Sequence, residues 1–127
     1  MCKLIMIVED DASLVQLYEV IFRLTGLDLR TEVYMDGRKA YDRVQREPDP
    51  KVIILDLHLP HVQGSEIFEA ARKNMPDTNI VVVSADILAA TDMLSRADRV
   101  FVKPIDVMAF QNYMVSLVSG NAGIGSN

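Results

Sequence analysis

The sequence predicts an α/β fold, a parallel sheet with helices on both faces. Three observations predict it. Short apolar runs rich in Ile and Val recur along the chain. Patterns with helical spacing separate them, which is how βαβ units read. Four of the runs also deliver a polar group at their C-terminal end, the end where an open parallel sheet binds ligands.

Lys3–Val8 is the first strand, and Glu9-Asp10-Asp11 follows it. Asp11 or Ser13 caps the next helix, in which Leu14, Tyr18, Ile21, Phe22 and Thr25 recur at helical spacing until Gly26 stops it. Leu29–Tyr34 alternates weakly and reads as an edge strand. Asp36-Gly37 is a turn, after which a second helix turns Ala40 and Val44 inward and ends at Glu47-Pro48. Val52–Leu55 is the third strand, with Asp56 at its end. Pro60 and Gly64 mark a loop. The third helix covers roughly Ser65–Asn74, with Ile67, Phe68 and Ala71 on one face, and Met75-Pro76 terminates it. Ile80–Val83, ending at Ser84, is the fourth strand. A fourth helix fits between Asp86 and Ala97. Arg99–Val102 is the fifth strand and ends at Lys103-Pro104. The last helix starts near Asp106 and packs Val107, Phe110, Met114, Leu117 and Val118. One domain over residues 1–119 and a flexible tail over 120–127 are expected, the tail being rich in Gly, Asn and Ser.

Composition narrows the function. A net charge of -5 argues against a nucleic-acid-binding surface. The single cysteine, Cys2, excludes a disulfide framework and points to a reducing compartment. No apolar stretch has membrane-spanning length, and the first apolar run stops at Glu9, too early for a signal peptide. A cytoplasmic protein without membrane contact is expected.

The strand-end residues carry the chemistry. With Glu9, Asp10 and Asp56 within ~5 Å of one another, each pair of carboxylates repels by about 3 kcal/mol at an effective dielectric of about 20. Lys103 offsets only part of this. Such a site either protonates a carboxylate or takes up a cation, and all-oxygen ligands suit Mg²⁺. A carboxylate such as Asp56 can attack a phosphoryl group to form an aspartyl phosphate, with Lys103 and the metal neutralising its oxygens and the Ser84 hydroxyl donating to it.

In order along the chain stand Ile5-Met6-Ile7-Val8-Glu9-Asp10-Asp11, Ile54-Leu55-Asp56-Leu57-His58-Leu59-Pro60 with Gly64 eight residues after the aspartate, Val83-Ser84-Ala85 and Val102-Lys103-Pro104. On these residues the chain resembles the receiver domain of two-component response regulators, most of all the single-domain, chemotaxis-type members, from Lys3 to about Val118. The resemblance implies a doubly wound, flavodoxin-like sheet of five parallel strands in the order 2-1-3-4-5. It implies that Asp56 accepts phosphate from a histidine kinase or phosphotransfer protein. Asp10 would bind Mg²⁺ directly, Glu9 would assist, and Asp56 and the backbone carbonyl of His58 would complete the protein ligands. Ser84 and Lys103 would bind the phosphoryl group, and the family admits a cis Lys103-Pro104 bond. The module would catalyse only its own phosphoryl transfer and dephosphorylation, so it is not expected to be an enzyme.

The sequence departs from that pattern on one side. Only 19 positions separate Ser84 from Lys103, which shortens the fourth helix by about one turn. Arg96-Ala97 replaces the usual Gly-Ala. Val100 stands where the family carries an aromatic switch residue, and alternation points Phe101 to the other face. Ile105 replaces an aromatic after Lys-Pro. These changes fall on the helix 4–strand 5–helix 5 face, where receivers meet a downstream protein or a second copy. No charged residue occurs from Val107 to Asn127, and the outer stripe of the last helix is Met108, Asn112, Val115 and Ser119. A solvated face normally carries charges, so this face is expected to contact a partner or another copy.

Blander readings stand beside these. Asp11 is a helix cap. His58 and His61 are solvated loop residues rather than metal ligands, and His58 with Asp86 would tune phosphoryl lifetime. Arg38, Lys39, Arg43 and Arg46 form a solvated face. The seven methionines are core filler. A phosphatase of the haloacid dehalogenase type lacks its Asp-x-Asp after strand one, and an acidic loop there repels the phosphate of a flavodoxin-like cofactor. The competing reading is a receiver-like interaction scaffold with an altered output face.

Overall fold

The computed structural model describes residues 2–120. Five strands, β1 (Lys3–Val8), β2 (Leu29–Tyr34), β3 (Val52–Asp56), β4 (Asn79–Ser84) and β5 (Arg99–Val102), alternate with five helices, α1 (Ala12–Thr25), α2 (Gly37–Arg43), α3 (Gly64–Asn74), α4 (Ile87–Met93) and α5 (Val107–Val118). The strands form one sheet in the order β2-β1-β3-β4-β5. Every pairing is parallel, with Ile7 opposite Ile54 and Val83 opposite Phe101. This is the doubly wound topology the sequence implies.

Strand alternation sorts the core into two layers. Ile5, Ile7, Val52, Ile54, Val81, Val83 and Phe101 pack under α1 and α5, against Tyr18, Ile21, Phe22, Phe110 and Met114. Met6, Val8, Ile53, Leu55, Ile80 and Val82 pack under α2, α3 and α4, against Ala40, Val44, Ile67, Phe68 and Met93. The inner strands are apolar on both faces because both faces are covered.

Caps place the helices. Asp11 accepts from the backbone N–H of Ser13 and Leu14, and Gly26, at φ 70°, closes α1 in the left-handed conformation. Asp86 and Asp106 cap α4 and α5 in the same way. Gly64 opens α3 because the loop after Asp56 passes against it: a Cβ there would lie 2.8 Å from the carbonyl oxygens of Asp56 and Leu57. The Lys103-Pro104 peptide bond is cis.

Four expectations need correction. α2 ends at Arg43, short of Glu47-Pro48. The cause is Arg43 itself, which is 2% exposed rather than solvated. Its Nε donates to Glu32 at 2.8 Å, and its guanidinium also donates to the carbonyls of Arg46 at 2.9 Å and Pro48 at 2.6 Å. The segment after the helix folds around that group instead of continuing it. Arg38, Lys39 and Arg46 are exposed, as expected. Val107 is 38% exposed instead of packed, while Phe110, Met114 and Val118 are buried. Met6, Met75, Met93 and Met114 fill the core, but Met35 and Met108 are exposed and Met1 lies outside the described residues. The tail expected at 120–127 lies outside them too, apart from Gly120.

Removing a buried guanidinium leaves carbonyls and a carboxylate without their donor. Arg43→Ala is expected to lower unfolding free energy by about 2–4 kcal/mol in urea titrations, and Arg38→Ala by less than about 0.5 kcal/mol. Equal effects of the two substitutions would contradict this reading of Arg43.

Candidate functional site

Continuing the alternation past the strand ends places Glu9 beyond Ile7, Asp56 beyond Ile54 and Lys103 beyond Phe101, all on the α1/α5 face. Glu9 is 1% exposed and Asp56 4%. The backbone N–H of Glu9 donates to Tyr34 O at 3.0 Å, which ties the start of this loop to β2. Lys103 Nζ lies 3.1 Å from Asp56 Oδ2 and 3.3 Å from Glu9. Its own backbone N–H is held by Ser84 O at 2.9 Å. The carboxylate oxygens of Glu9, Asp10 and Asp56 lie within 4.8 Å of one another, and Asp10 is the exposed member. The strand-end residues read from the sequence therefore converge on one point.

The second oxygen of each buried acid is used differently. Asp56 Oδ1 accepts the His58 backbone N–H at 3.0 Å. Glu9 Oε2 accepts the Asp11 N–H at 3.2 Å, whereas Glu9 Oε1 is buried with no donor near it except the Lys103 ammonium 3.3 Å away. Burial and then the neighbouring Asp56 carboxylate push the Glu9 carboxyl up to about 7, while Lys103 pulls less strongly the other way. Burial disfavours the Lys103 ammonium, but Glu9 and Asp56 outweigh it and hold its pKa above the usual range.

An all-oxygen set of three carboxylates, two of them buried and sharing one ammonium, fits a hard divalent cation. Both histidines are engaged elsewhere: His58 Nε2 is 3.7 Å from Asp86 Oδ2 and His61 Nδ1 is 3.0 Å from Asp36 Oδ2.

Ser84 is fully buried and takes a different position from the acids. Its Oγ accepts the Asp86 N–H at 3.1 Å and donates to Asp86 O at 3.4 Å, so the hydroxyl organises the loop into α4. Alternation puts it on the α2/α3/α4 face, shared with Val100. Phe101 turns the other way, its ring 5.4 Å from that of Phe110. No aromatic from β5 lies on the Ser84 face, as the sequence indicates. One polar group went unnoticed in the sequence. Tyr18, read only as a core position, carries a fully buried hydroxyl without a hydrogen-bond partner. Burial, then Glu9, Asp56 and Asp11, push its phenol far up. A phenol within an otherwise apolar helix stripe was the available signal.

A parallel sheet of this order, carrying buried acids and a lysine at its C-terminal edge, defines a signalling receiver. The chain matches the response regulator receiver domain family over residues 5–114 and belongs to it. It is 39% identical to the regulatory protein LuxO of Vibrio cholerae over 79 residues, 61% of this chain and 16% of LuxO. It is 31% identical to the DNA-binding response regulator MtrA of Mycobacterium tuberculosis over 102 residues, 79% of this chain and 43% of MtrA. The chain thus spans less than half the length of these relatives. It shares the fold of the receiver domain of sensor histidine kinase PA1611 from Pseudomonas aeruginosa, whose structure has a magnesium ion coordinated in the active-site cleft. There the TM-score is 0.78 at 20% identity, covering 94% of this chain and 99% of that one. Among the described residues, no helix is long and apolar enough to cross a membrane.

The Glu9 shift has a sign that can be measured. Its folded pKa, about 7, lies above the usual 4.5, so the stability this group contributes is complete below 4.5 and is lost as pH rises through 7. Glu9→Gln is therefore expected to be more stable than the parent by about 1–3 kcal/mol at pH 8 in a chelator, with the difference vanishing near pH 5. A difference independent of pH in thermal or urea unfolding would contradict it.

Proposed function

We propose that Asp56 is the phosphoacceptor of this receiver and that Glu9, Asp10, Asp56 and the His58 backbone carbonyl hold Mg²⁺. The observation that carries the proposal is the ammonium of Lys103, in contact with both Asp56 and Glu9. When bound, Mg²⁺ neutralises the charge that develops on the transferring phosphoryl group. An Asp56 carboxylate oxygen attacks phosphorus in line, the new P–O bond forming as the P–N bond of a phosphohistidine donor breaks. Lys103, already 3.1 Å away, pairs with a phosphoryl oxygen. For Ser84 to donate to the phosphoryl group its Oγ must leave the Asp86 backbone, which carries the β4–α4 loop with it.

The donor is a histidine kinase or phosphotransfer protein. The chain turns over no diffusible product and works in the cytoplasm. Its output surface is α4, β5 and α5, where Ile87, Leu88, Val102 and Met108 are 67%, 80%, 43% and 64% exposed. Ile87 follows Ser84 by three residues, so a shift of the loop reaches this apolar surface at once. A downstream protein or a second copy would cover it.

Incubation with acetyl phosphate and Mg²⁺ is expected to add one phosphoryl group by intact-mass spectrometry. The gain should disappear in Asp56→Asn and in EDTA. A protein that binds no Mg²⁺ and gains no mass would favour the scaffold reading.

A further inference from the structure

The site described so far leaves Tyr18 unexplained. Its hydroxyl is buried without a hydrogen-bond partner, and Glu9 Oε1, 3.3 Å from Lys103 Nζ, has no other donor among the described residues. An unsatisfied buried donor costs on the order of a hydrogen bond, and a carboxylate oxygen beside one ammonium still accepts a second donor. Their placement brings them to the same region. Tyr18 is a core residue of α1, seven positions after the Asp11 cap, and it packs on the sheet face of Ile5, Ile7 and Ile54. Glu9 lies one alternation beyond Ile7 on that face. Aromatic side chains in a helix lean toward its N-terminus, and the N-terminus of α1 is the acidic loop. The Tyr18 ring is wedged from the other side by Phe110, with centroids 5.1 Å apart, so it has little room to turn elsewhere.

We propose that the Tyr18 hydroxyl is the hydrogen-bond donor that Glu9 Oε1 takes, making Tyr18 a positioning residue for the metal-side carboxylate. The link rests on the reading of Glu9 as a Mg²⁺ ligand. An enclosed water bridging the two atoms would supply that bond. Held through Oε1, Glu9 keeps its other oxygen on the Asp11 N–H, with Lys103 Nζ 3.3 Å from each of the two oxygens. The protein thereby fixes the carboxylate orientation from inside the core. Outer partners of this kind commonly set metal affinity.

Tyr18→Phe tests this, because it deletes the hydroxyl and keeps the ring. In the metal-free protein at fixed pH, the carboxyl carbon resonance of Glu9 is expected to move while that of Asp10 does not. The Mg²⁺ dissociation constant by calorimetry is expected to weaken by about tenfold, with the amide spectrum otherwise retained. In the parent protein, the Tyr18 hydroxyl proton is expected to exchange slowly and show a cross-peak to the Glu9 side chain. An unmoved Glu9 resonance, with no such cross-peak in the parent, overturns the proposal. A parent protein that binds no Mg²⁺ removes the metal reading, and the metal-free resonances then still decide the Tyr18 link.

Discussion

The contact on which the rest depends is one ammonium between two buried carboxylates. Glu9 and Asp56 are both almost fully excluded from solvent, and Lys103 Nζ reaches both. Buried like charges are tolerated only when something opposes them, and one lysine leaves the group net negative. Burial first, and then the Asp56 carboxylate, raise the Glu9 carboxyl above its usual range. The site is thus held in a state that a cation, a proton or a phosphoryl group changes.

The parallel sheet makes this arrangement possible. Strands β1, β3 and β5 all run parallel toward this edge, β4 lying between the last two, and a period of two sends Glu9, Asp56 and Lys103 to the same side. The same period sends Ser84 to the opposite side with Val100. Charge chemistry and output loop therefore sit on the two faces of one sheet edge, joined by the backbone bond from Lys103 to Ser84. Val100 offers no aromatic ring on that face, and the first large apolar residues after Ser84, Ile87 and Leu88, are exposed.

Much of this was legible in the sequence, for physical reasons. The Ile- and Val-rich runs mark the inner strands because both their faces are buried. The bounds of β1, β2 and β5 agree with their apolar patterns to the residue. The acidic strand ends and Lys103 were legible because a charged group directly after a buried strand has few structural uses. Features set by distant partners were not. α2 stops where it does because Arg43 finds carbonyls beyond the helix, a tertiary choice that propensity does not carry. Ser84 was expected to bind the phosphoryl group and move with it, and nothing in the sequence signals that its hydroxyl also holds the Asp86 backbone. Tyr18 reads as core by spacing, and only its unpartnered hydroxyl distinguishes it.

The central claim is that the phosphoryl group resides on the carboxylate of Asp56 and nowhere else. An acyl phosphate is reduced by borohydride to the alcohol, so an aspartyl phosphate becomes homoserine. Borohydride treatment of the phosphorylated protein, followed by peptide mass spectrometry, is expected to place homoserine at position 56. Homoserine absent there, or phosphate retained on a serine, threonine or histidine, would contradict the account.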